Sequence, residues 1–205
     1  SGSYKVWKNP FPHRIAENQG VEIINQAQVG HTIERGELTI EKALAKGLDC
    51  QIALLEYGGN DCDYNWAAIA ENPHIEHQPN TPLPRFREIY QRIIAKLRQQ
   101  QIIPVVMALP PIHSQRYYTW FSQSLNQENL LTWINDVNII YRHQECYSLE
   151  AERIGLENDC PLLDLRQPLL VQHDLPALIS KDGIHPSPAG YELIWQQITK
   201  FCSSL

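Results

Sequence analysis

Short apolar runs rich in β-branched residues alternate along this chain with longer stretches of helical periodicity. The apolar runs occupy residues 21–25, 51–57, 102–109 and 161–165, and the helical patterns occupy residues 34–46, 84–101, 127–155 and 189–201. This alternation is typical of βαβ units around a parallel sheet. We therefore predict an α/β fold in which amphipathic helices cover the sheet.

The segments that follow two of the predicted strands are interrupted by prolines, at residues 72–84 and 110–123. In open parallel sheets, ligands bind at the edge formed by the carboxyl ends of the strands. We expect a ligand site there. The start of the chain is unusual, because a helical pattern around residues 12–18 stands where a doubly wound fold would open on a buried strand.

The length of 205 residues suits one sizeable core, so we predict a single domain over residues 1–205. Hydrophobic residues at 43% and charged residues at 20% are typical of a globular chain. The formal charge of −6 argues against a nucleic-acid partner, because phosphate binding needs clustered cations. No apolar run approaches the ~18 residues of a membrane span and no signal peptide is evident, so we expect no membrane partner and a cytoplasmic location.

The five cysteines are scattered without a CxxC pair, so we expect reduced thiols and neither a disulfide framework nor a zinc knuckle. His74 and His77, with Cys62 and Asp63 upstream, are the residues that a metal site would use. Their segment contains prolines, however, and it lacks the i, i+4 spacing of zinc hydrolases. We predict no metal and no other cofactor.

A glycine-rich turn, Gly58-Gly59-Asn60-Asp61, ends the apolar run of residues 51–57. Two glycines allow backbone and side-chain donors to approach a ligand without a Cβ in the way. An asparagine placed there can donate its amide hydrogens to a developing oxyanion, an interaction typically worth ~3–4 kcal/mol. The alternative is a strand-terminating turn in which Asn60 and Asp61 only satisfy local backbone groups.

Asp182 and His185 lie in a polar turn just before the last helical pattern. An Asp three residues before a His can accept the Nδ1–H hydrogen and hold the ring so that Nε2 faces a nucleophile. The pair is therefore a candidate general base with its orienting carboxylate. The alternative is a helix-entry turn in which Asp182 acts as a local cap.

Gly30 follows the first apolar run, in the segment NQAQVGHT of residues 25–32. From there its N–H could point to the same sheet edge as Asn60. The alternative is an ordinary turn, and we expect the neighbouring His31 to lie at the surface or behind the site.

Taken together, these three segments resemble the signature blocks of the SGNH (GDSL-like) hydrolase superfamily. Residues 25–32 are similar to its N-x-G/A-x-x-G-x-T block, residues 58–61 to its G-x-N-D block and residues 182–186 to its D-x-x-H-P block. The resemblance implies a three-layer α/β/α sandwich with a mainly parallel, flavodoxin-like sheet. It also implies hydrolysis of carboxylic esters by a Ser/His/Asp mechanism with a Gly/Asn oxyanion hole, without metal or cofactor. The catalytic residues that it implies are His185, Asp182, Asn60 and Gly30.

The family's Gly-Asp-Ser block, which carries the nucleophile after the central strand, has no counterpart in this sequence. Ser1 and Ser3 flank a glycine, but nothing apolar precedes them and they lie too close to Asn25 for the usual spacing. We expect the chain to lack the central strand and the nucleophilic serine. It is then a fragment, a chain that a separate piece completes, or an inactive module that binds an ester or a glycan.

Aromatic residues follow two of the predicted strands, and their faces suit sugar rings or acyl chains. The alternative for each of them is the packing of a loop onto the core. The candidates for substrate binding are Asp61, Tyr64, Trp66 and Tyr118. We expect a small-molecule ester or an acylated carbohydrate as the ligand, and the sequence leaves a homo-oligomer open.

Overall fold

A three-stranded parallel sheet forms the centre of the structure, a computed structural model that describes residues 22–203. Its strands are β1 (Ile52–Leu55), β2 (Ile103–Met107) and β3 (Leu162–Leu163), in the order β1-β2-β3. Ile52 pairs with Ile103, and Val106 pairs with Leu162. Three of the four predicted strands are therefore present, each shorter than its apolar run.

Helices fill the connections between the strands and complete the chain. In order they are α1 (Ile33–Ala45), α2 (Trp66–Glu71), α3 (Leu83–Gln99), α4 (Ser114–Phe121), α5 (Gln127–Ile134), α6 (Asn138–Glu157), α7 (Gln167–Leu170), α8 (Leu175–Leu178) and α9 (Pro188–Cys202), with a 3₁₀ turn at Ser122–Ser124. The patterns at residues 34–46, 84–101 and 189–201 correspond to α1, α3 and α9. Within residues 22–203, no helix is long and apolar enough to cross a membrane.

Neighbouring side chains of β2 point into two different cores, which lie on opposite faces of the sheet. Val106 packs on one face with Phe86 and Tyr90 of α3, in a core that α1 and α6 also enter. Val105 packs on the other face with Ile194 of α9. The alternation follows from the two-residue period of a strand. It produces helix, sheet and helix layers, so the predicted three-layer α/β/α fold is confirmed.

The prediction of a strand over residues 21–25 is wrong for the part that the structure describes. Residues 22–28 belong to neither helix nor strand and are exposed. Ile23 and Ile24 keep 37% and 44% of their surface exposed, and neither belongs to a core cluster of the described residues. An apolar run becomes a strand only where a neighbour supplies hydrogen bonds and a core. Residue 21 and the helical pattern around residues 12–18 lie outside the described residues.

The long helical pattern of residues 127–155 is two helices, α5 and α6. The break lies at Asn135, which ends α5 with a φ of 58°. Asparagine tolerates this left-handed conformation better than most residues. Asp136 then accepts the backbone N–H of Asn138 at 2.9 Å and so begins α6. The helical spacing of the apolar residues continues from α5 into α6, so the sequence pattern did not reveal where one helix ends and the next begins.

A cluster of ion pairs joins α1 to α3. Glu37 of α1 accepts two hydrogen bonds from Arg92, at 2.9 and 2.7 Å, and one from Lys96 at 2.6 Å. The hydrogen bonds from Arg92 lower the pKa of Glu37, partial burial opposes them, and Lys96 adds to the lowering, which brings the pKa to about 2. Lys96 also contacts Glu41. The cluster therefore favours the packing of α1 on α3 while Glu37 is charged.

Replacing Glu37 by glutamine should destabilise the protein in a way that depends on pH. Because the folded-state pKa lies below the ordinary 4.5, the contribution is complete above pH 4.5 and disappears as the pH falls towards 2. Arg92 and Lys96 are partly exposed, so we expect a loss of about 1 kcal/mol at pH 7. Urea unfolding at pH 7 and pH 2.5 measures it, with Glu71→Gln as the control for an exposed carboxylate. An equal loss at both pH values would contradict the ion-pair account.

Candidate active site

A pocket of about 500 Å³ opens beyond the carboxyl ends of the three strands. The turn after β1 contributes Gly59 and Asn60, the end of β2 contributes Met107 and the residues after it, and Leu165 follows β3. His185 lies at the same pocket. Parallel strands bring their carboxyl ends to one edge, so distant segments of the sequence meet here.

The turn after β1 is held by a buried carboxylate. Asp61 is fully buried and accepts the backbone N–H of Gly58 at 3.0 Å and that of Ile33, the first residue of α1, at 2.9 Å. Gly58 has a φ of 126°, and a Cβ there would lie 2.9 Å from Leu109 Cδ1, so the position requires glycine. Burial raises the pKa of Asp61, and these hydrogen bonds oppose the rise.

Asn60 is exposed and lines the pocket, as an oxyanion donor must. Its backbone carbonyl accepts a hydrogen bond of 2.9 Å from the side chain of Asn80. Asn80 also donates its backbone N–H to the carbonyl of Asp63 at 2.8 Å. The segment before α3 therefore holds the turn from outside, while Asp61 holds it from inside.

His185 and Asp182 form the hydrogen-bonded pair that the sequence predicts. His185 Nδ1 lies 2.8 Å from Asp182 Oδ2, and the histidine side chain is 59% exposed. Asp182 Oδ1 accepts hydrogen bonds from the Ser180 hydroxyl at 2.6 Å and from the backbone N–H groups of Ile184 and His185 at 2.9 and 3.0 Å. Partial burial raises the pKa of Asp182, but these bonds outweigh it and bring the pKa to about 2. The charged carboxylate thus holds the ring with Nδ1 as the donor.

The segment that carries His185 is fixed at both ends. Gly183 has a φ of 85°, and a Cβ there would clash with the backbone nitrogen of Tyr117. Its carbonyl accepts the N–H of His113 at 2.7 Å, which ties the segment to the start of α4. Beyond His185, Ser187 caps α9 by accepting the N–H of Gly190 at 3.2 Å. The orientation of His185 therefore depends on two helix starts.

Glu56 is a pocket residue that the sequence reasoning missed. It follows β1 directly, lines the pocket with His185 and is exposed to solvent. Desolvation of the carboxyl at the pocket raises the pKa of Glu56, and the nearby His185 opposes the rise. The sequence feature that could have identified Glu56 as a pocket residue is its position just before the Gly58-Gly59 turn.

Two of the four predicted substrate-binding residues lie in the core and not in the pocket. Asp61 is fully buried because its carboxylate serves the backbone of its own turn and of α1. Tyr118 is buried between α4 and α5, where its hydroxyl donates to the carbonyl of Gln127 at 3.4 Å. Tyr117, one position earlier, lines the pocket instead.

Gly30 does not line the pocket. It lies in an exposed turn with a φ of 76°, and apart from its two chain neighbours no atom of residues 22–203 lies within 4 Å of the position of a Cβ. The turn conformation explains why glycine is suited to this position. The oxyanion role of Gly30 stays a prediction.

Tyr64 and Trp66, the other two predicted substrate-binding residues, do line the pocket. Together with Tyr117 and Trp133 they form what we call the aromatic wall. Asp63 supports it by accepting hydrogen bonds of 2.8 Å from both Trp66 Nε1 and the Tyr117 hydroxyl. Trp133 was missed because it lies in α5, and its ring reaches the ring of Tyr64 at 5.0 Å only through tertiary packing.

No serine among residues 22–203 lines the pocket. Ser1 and Ser3 lie outside the described residues. The Cys62 thiol does line the pocket, but burial raises its pKa, which disfavours the thiolate. In the part of the chain that the structure describes, no group of three His, Cys, Asp or Glu residues is placed to hold a metal ion.

The model of the GDSL-like lipase/acylhydrolase family matches residues 1–193 of the chain. No curated protein matches this chain.

Solved structures with similar folds include three hydrolases. A GDSL-like lipase from Bacteroides thetaiotaomicron is 16% identical, with a TM-score of 0.65, and the match covers 95% of this chain and 82% of that one. A lipase/acylhydrolase from Enterococcus faecalis is 20% identical, with a TM-score of 0.66 and coverages of 95% and 83%. A mutant acetyl-xylooligosaccharide esterase from Geobacillus is 14% identical, with a TM-score of 0.66 and coverages of 94% and 78%. At these identities the likeness establishes the fold.

Proposed function

Because the chain belongs to the GDSL-like lipase/acylhydrolase family, we propose that it hydrolyses carboxylic esters with His185 as the general base. The observation that carries the proposal is the 2.8 Å contact between His185 Nδ1 and the ionised Asp182, at a pocket that Asn60 also lines. This arrangement supplies a base, its orienting carboxylate and an amide donor, three groups that acyl transfer uses besides the nucleophile.

In the proposed mechanism, a serine hydroxyl attacks the ester carbonyl while His185 Nε2 takes its proton. The carbonyl oxygen becomes an oxyanion, which accepts hydrogen bonds from Asn60 Nδ2, the Gly30 N–H and the N–H of the serine itself. His185 then protonates the leaving alcohol, and an acyl-serine remains. Water, deprotonated by His185, attacks the acyl group, and His185 then returns this proton to the departing serine oxygen as the acid is released.

The nucleophile is the part of this mechanism that residues 22–203 do not supply at the pocket. That observation favours a second candidate function, a catalytically inactive module that binds an ester or a glycan in the same pocket. For either function, the ligand that we propose is a small-molecule ester or an acylated carbohydrate. The Geobacillus protein, described as an acetyl-xylooligosaccharide esterase, is an example with the same fold.

The two functions differ in their reaction with a fluorophosphonate, which forms a covalent bond with an activated serine. We expect one adduct per chain in intact-mass spectrometry, on a serine identified by peptide mapping. His185→Ala should abolish the adduct, and His74→Ala, at an exposed residue outside the pocket, should retain it. Absence of an adduct on the full-length protein would reject the esterase in favour of the binding module.

A further inference from the structure

The polar and the apolar residues that line the pocket differ in their exposure. Glu56, Asn60 and His185 line it and are exposed to solvent. Most of the remaining lining is apolar, and its largest group belongs to a hydrophobic cluster that α2, α4, α5 and the start of α6 build together. The members of this cluster that line the pocket and are only partly buried are Tyr64, Ile112, Trp133 and Ile184. They leave apolar surface open to a ligand.

The polar side chains that lie among these apolar residues are already occupied. Asp63 accepts two hydrogen bonds of 2.8 Å from the aromatic wall. Gln144 donates to the carbonyl of Pro110 at 2.9 Å and accepts from Arg166 at 3.2 Å. His143 Nε2 exposes less than 1 Å², so it is closed to a ligand. A polar ligand group would lose its hydration here without a hydrogen bond from these side chains, whereas an apolar group gains by leaving water.

The proposed mechanism decides which part of the ester faces the apolar side chains. His185 protonates the leaving alcohol, and the water of the second step must take the place of the alcohol beside His185. The His185 side chain is 59% exposed, so water reaches this position from solvent. The alcohol part therefore lies on the solvent side. The acyl part, which stays bound to the nucleophile between the two steps, points towards the aromatic wall.

We propose that the aromatic wall and the aliphatic side chains beside it bind the acyl chain of the substrate, and that the substrate is an ester of a medium-chain fatty acid. This inference rests on the proposed function and specifies the acyl part of its substrate, whatever the alcohol part is. The volume of about 500 Å³ lies within the range of pockets that bury most of a drug-sized ligand, so a chain of about eight carbons has room. An acetyl group would leave most of the apolar surface uncovered.

The binding of ligands that are not cleaved tests the proposal. Butanamide, hexanamide and octanamide keep the carbonyl group of the ester, carry no charge and differ only in chain length. We expect the affinity to rise roughly three- to fourfold with each added methylene, so that octanamide binds about 100-fold more tightly than butanamide. Isothermal titration calorimetry measures the binding of octanamide, with one site per chain, and competition with octanamide gives the other two dissociation constants.

Ile139 is the residue to change, because it lines the pocket and is 37% exposed, so the fold should tolerate a substitution there. Ile139→Asn places an amide beside the acyl chain and should weaken octanamide binding roughly tenfold, and butanamide binding less. Ile139→Val keeps an apolar side chain and should stay within about fourfold of the wild type. Ile75→Asn is the matched control and should bind as the wild type does, because Ile75 is 54% exposed and lies outside the pocket.

Three results would overturn the proposal: no binding of octanamide, an affinity that stays level from butanamide to octanamide, or an equal effect of Ile139→Asn and Ile75→Asn on octanamide binding. Because the amides are not cleaved, the dependence on chain length can appear even when the fluorophosphonate experiment fails, and the pocket would then bind the acyl chain without catalysis. Conversely, a labelled serine without this dependence would leave the esterase standing and remove only the medium-chain acyl group.

Discussion

His185→Ala should lower kcat for the hydrolysis of a 4-nitrophenyl ester by about 10⁴- to 10⁶-fold in the full-length protein. Without the imidazole, the proposed base that takes the proton from the nucleophile and returns it to the leaving alcohol is missing, and removal of a catalytic histidine typically costs this much. KM should change little, because a general base acts in the transition state and not in substrate binding. Steady-state kinetics with the ester measures both constants.

Folding is not expected to contribute to this loss. The His185 side chain is 59% exposed, and within residues 22–203 the hydrogen bond of its ring is the one to Asp182. The free energies of unfolding of the variant and the wild type should therefore agree within about 1 kcal/mol. His74→Ala serves as the matched control for the removal of an exposed histidine. A His185→Ala enzyme that keeps more than a tenth of the wild-type kcat would reject His185 as the base.

Asp182→Asn should reduce kcat by about 10⁴-fold. An asparagine at this position has the size of Asp182, but its amide group cannot stabilise the imidazolium and can hold the ring in the wrong tautomer. The pKa of about 2 means that Asp182 stays charged until the pH falls towards 2. Asp182 should therefore stay ionised above about pH 3, and an NMR titration of its side-chain carboxyl carbon between pH 2 and pH 7 tests this.

Ser180→Ala provides the comparison for Asp182→Asn. It removes the 2.6 Å hydrogen bond to Asp182 Oδ1, but it leaves the carboxylate and its contact with His185 in place. We expect a loss of no more than about tenfold in kcat, consistent with a hydrogen bond of about 1 kcal/mol. If the alanine variant lost as much activity as Asp182→Asn, the loop conformation would be the essential property and not the charge.

The sequence predicts those parts of the fold that are encoded locally. The amphipathic faces of α1, α3 and α9 repeat every 3.6 residues and do not depend on distant contacts. The family match confirms the resemblance to SGNH hydrolases. The prediction of a strand at residues 21–25 is wrong for the described residues, because an apolar run does not show whether a neighbouring strand is present. A single domain over residues 1–205 stays a prediction, since residues 1–21 and 204–205 lie outside the described part.

For the site, the sequence alone indicates the contact between Asp182 and His185, whereas their catalytic roles stay a prediction. The Asp182 and His185 pair is three residues apart, and its hydrogen bond forms within one turn. The sequence does not show which side chains face the pocket where tertiary packing decides their direction. Tyr118 lies in the core, and its neighbour Tyr117 lines the pocket. Trp133 of α5 and His143 of α6 also line the pocket. Nothing in the sequence around them indicates this, because helix packing brings them to the strand ends.

The carboxylate of Asp61 joins two separate parts of the chain, because its two oxygens bond to the turn beside Asn60 and to the first residue of α1. Gly30 lies only three residues before that helix start, at Ile33. The start of α1, near Gly30, and the turn of Asn60 are therefore held by the same buried carboxylate, so that a shift of α1 along its axis would be transmitted to that turn. The position of the Asn60 turn is thus set by the protein interior before any ligand arrives, which is the preorganisation that an oxyanion donor would need.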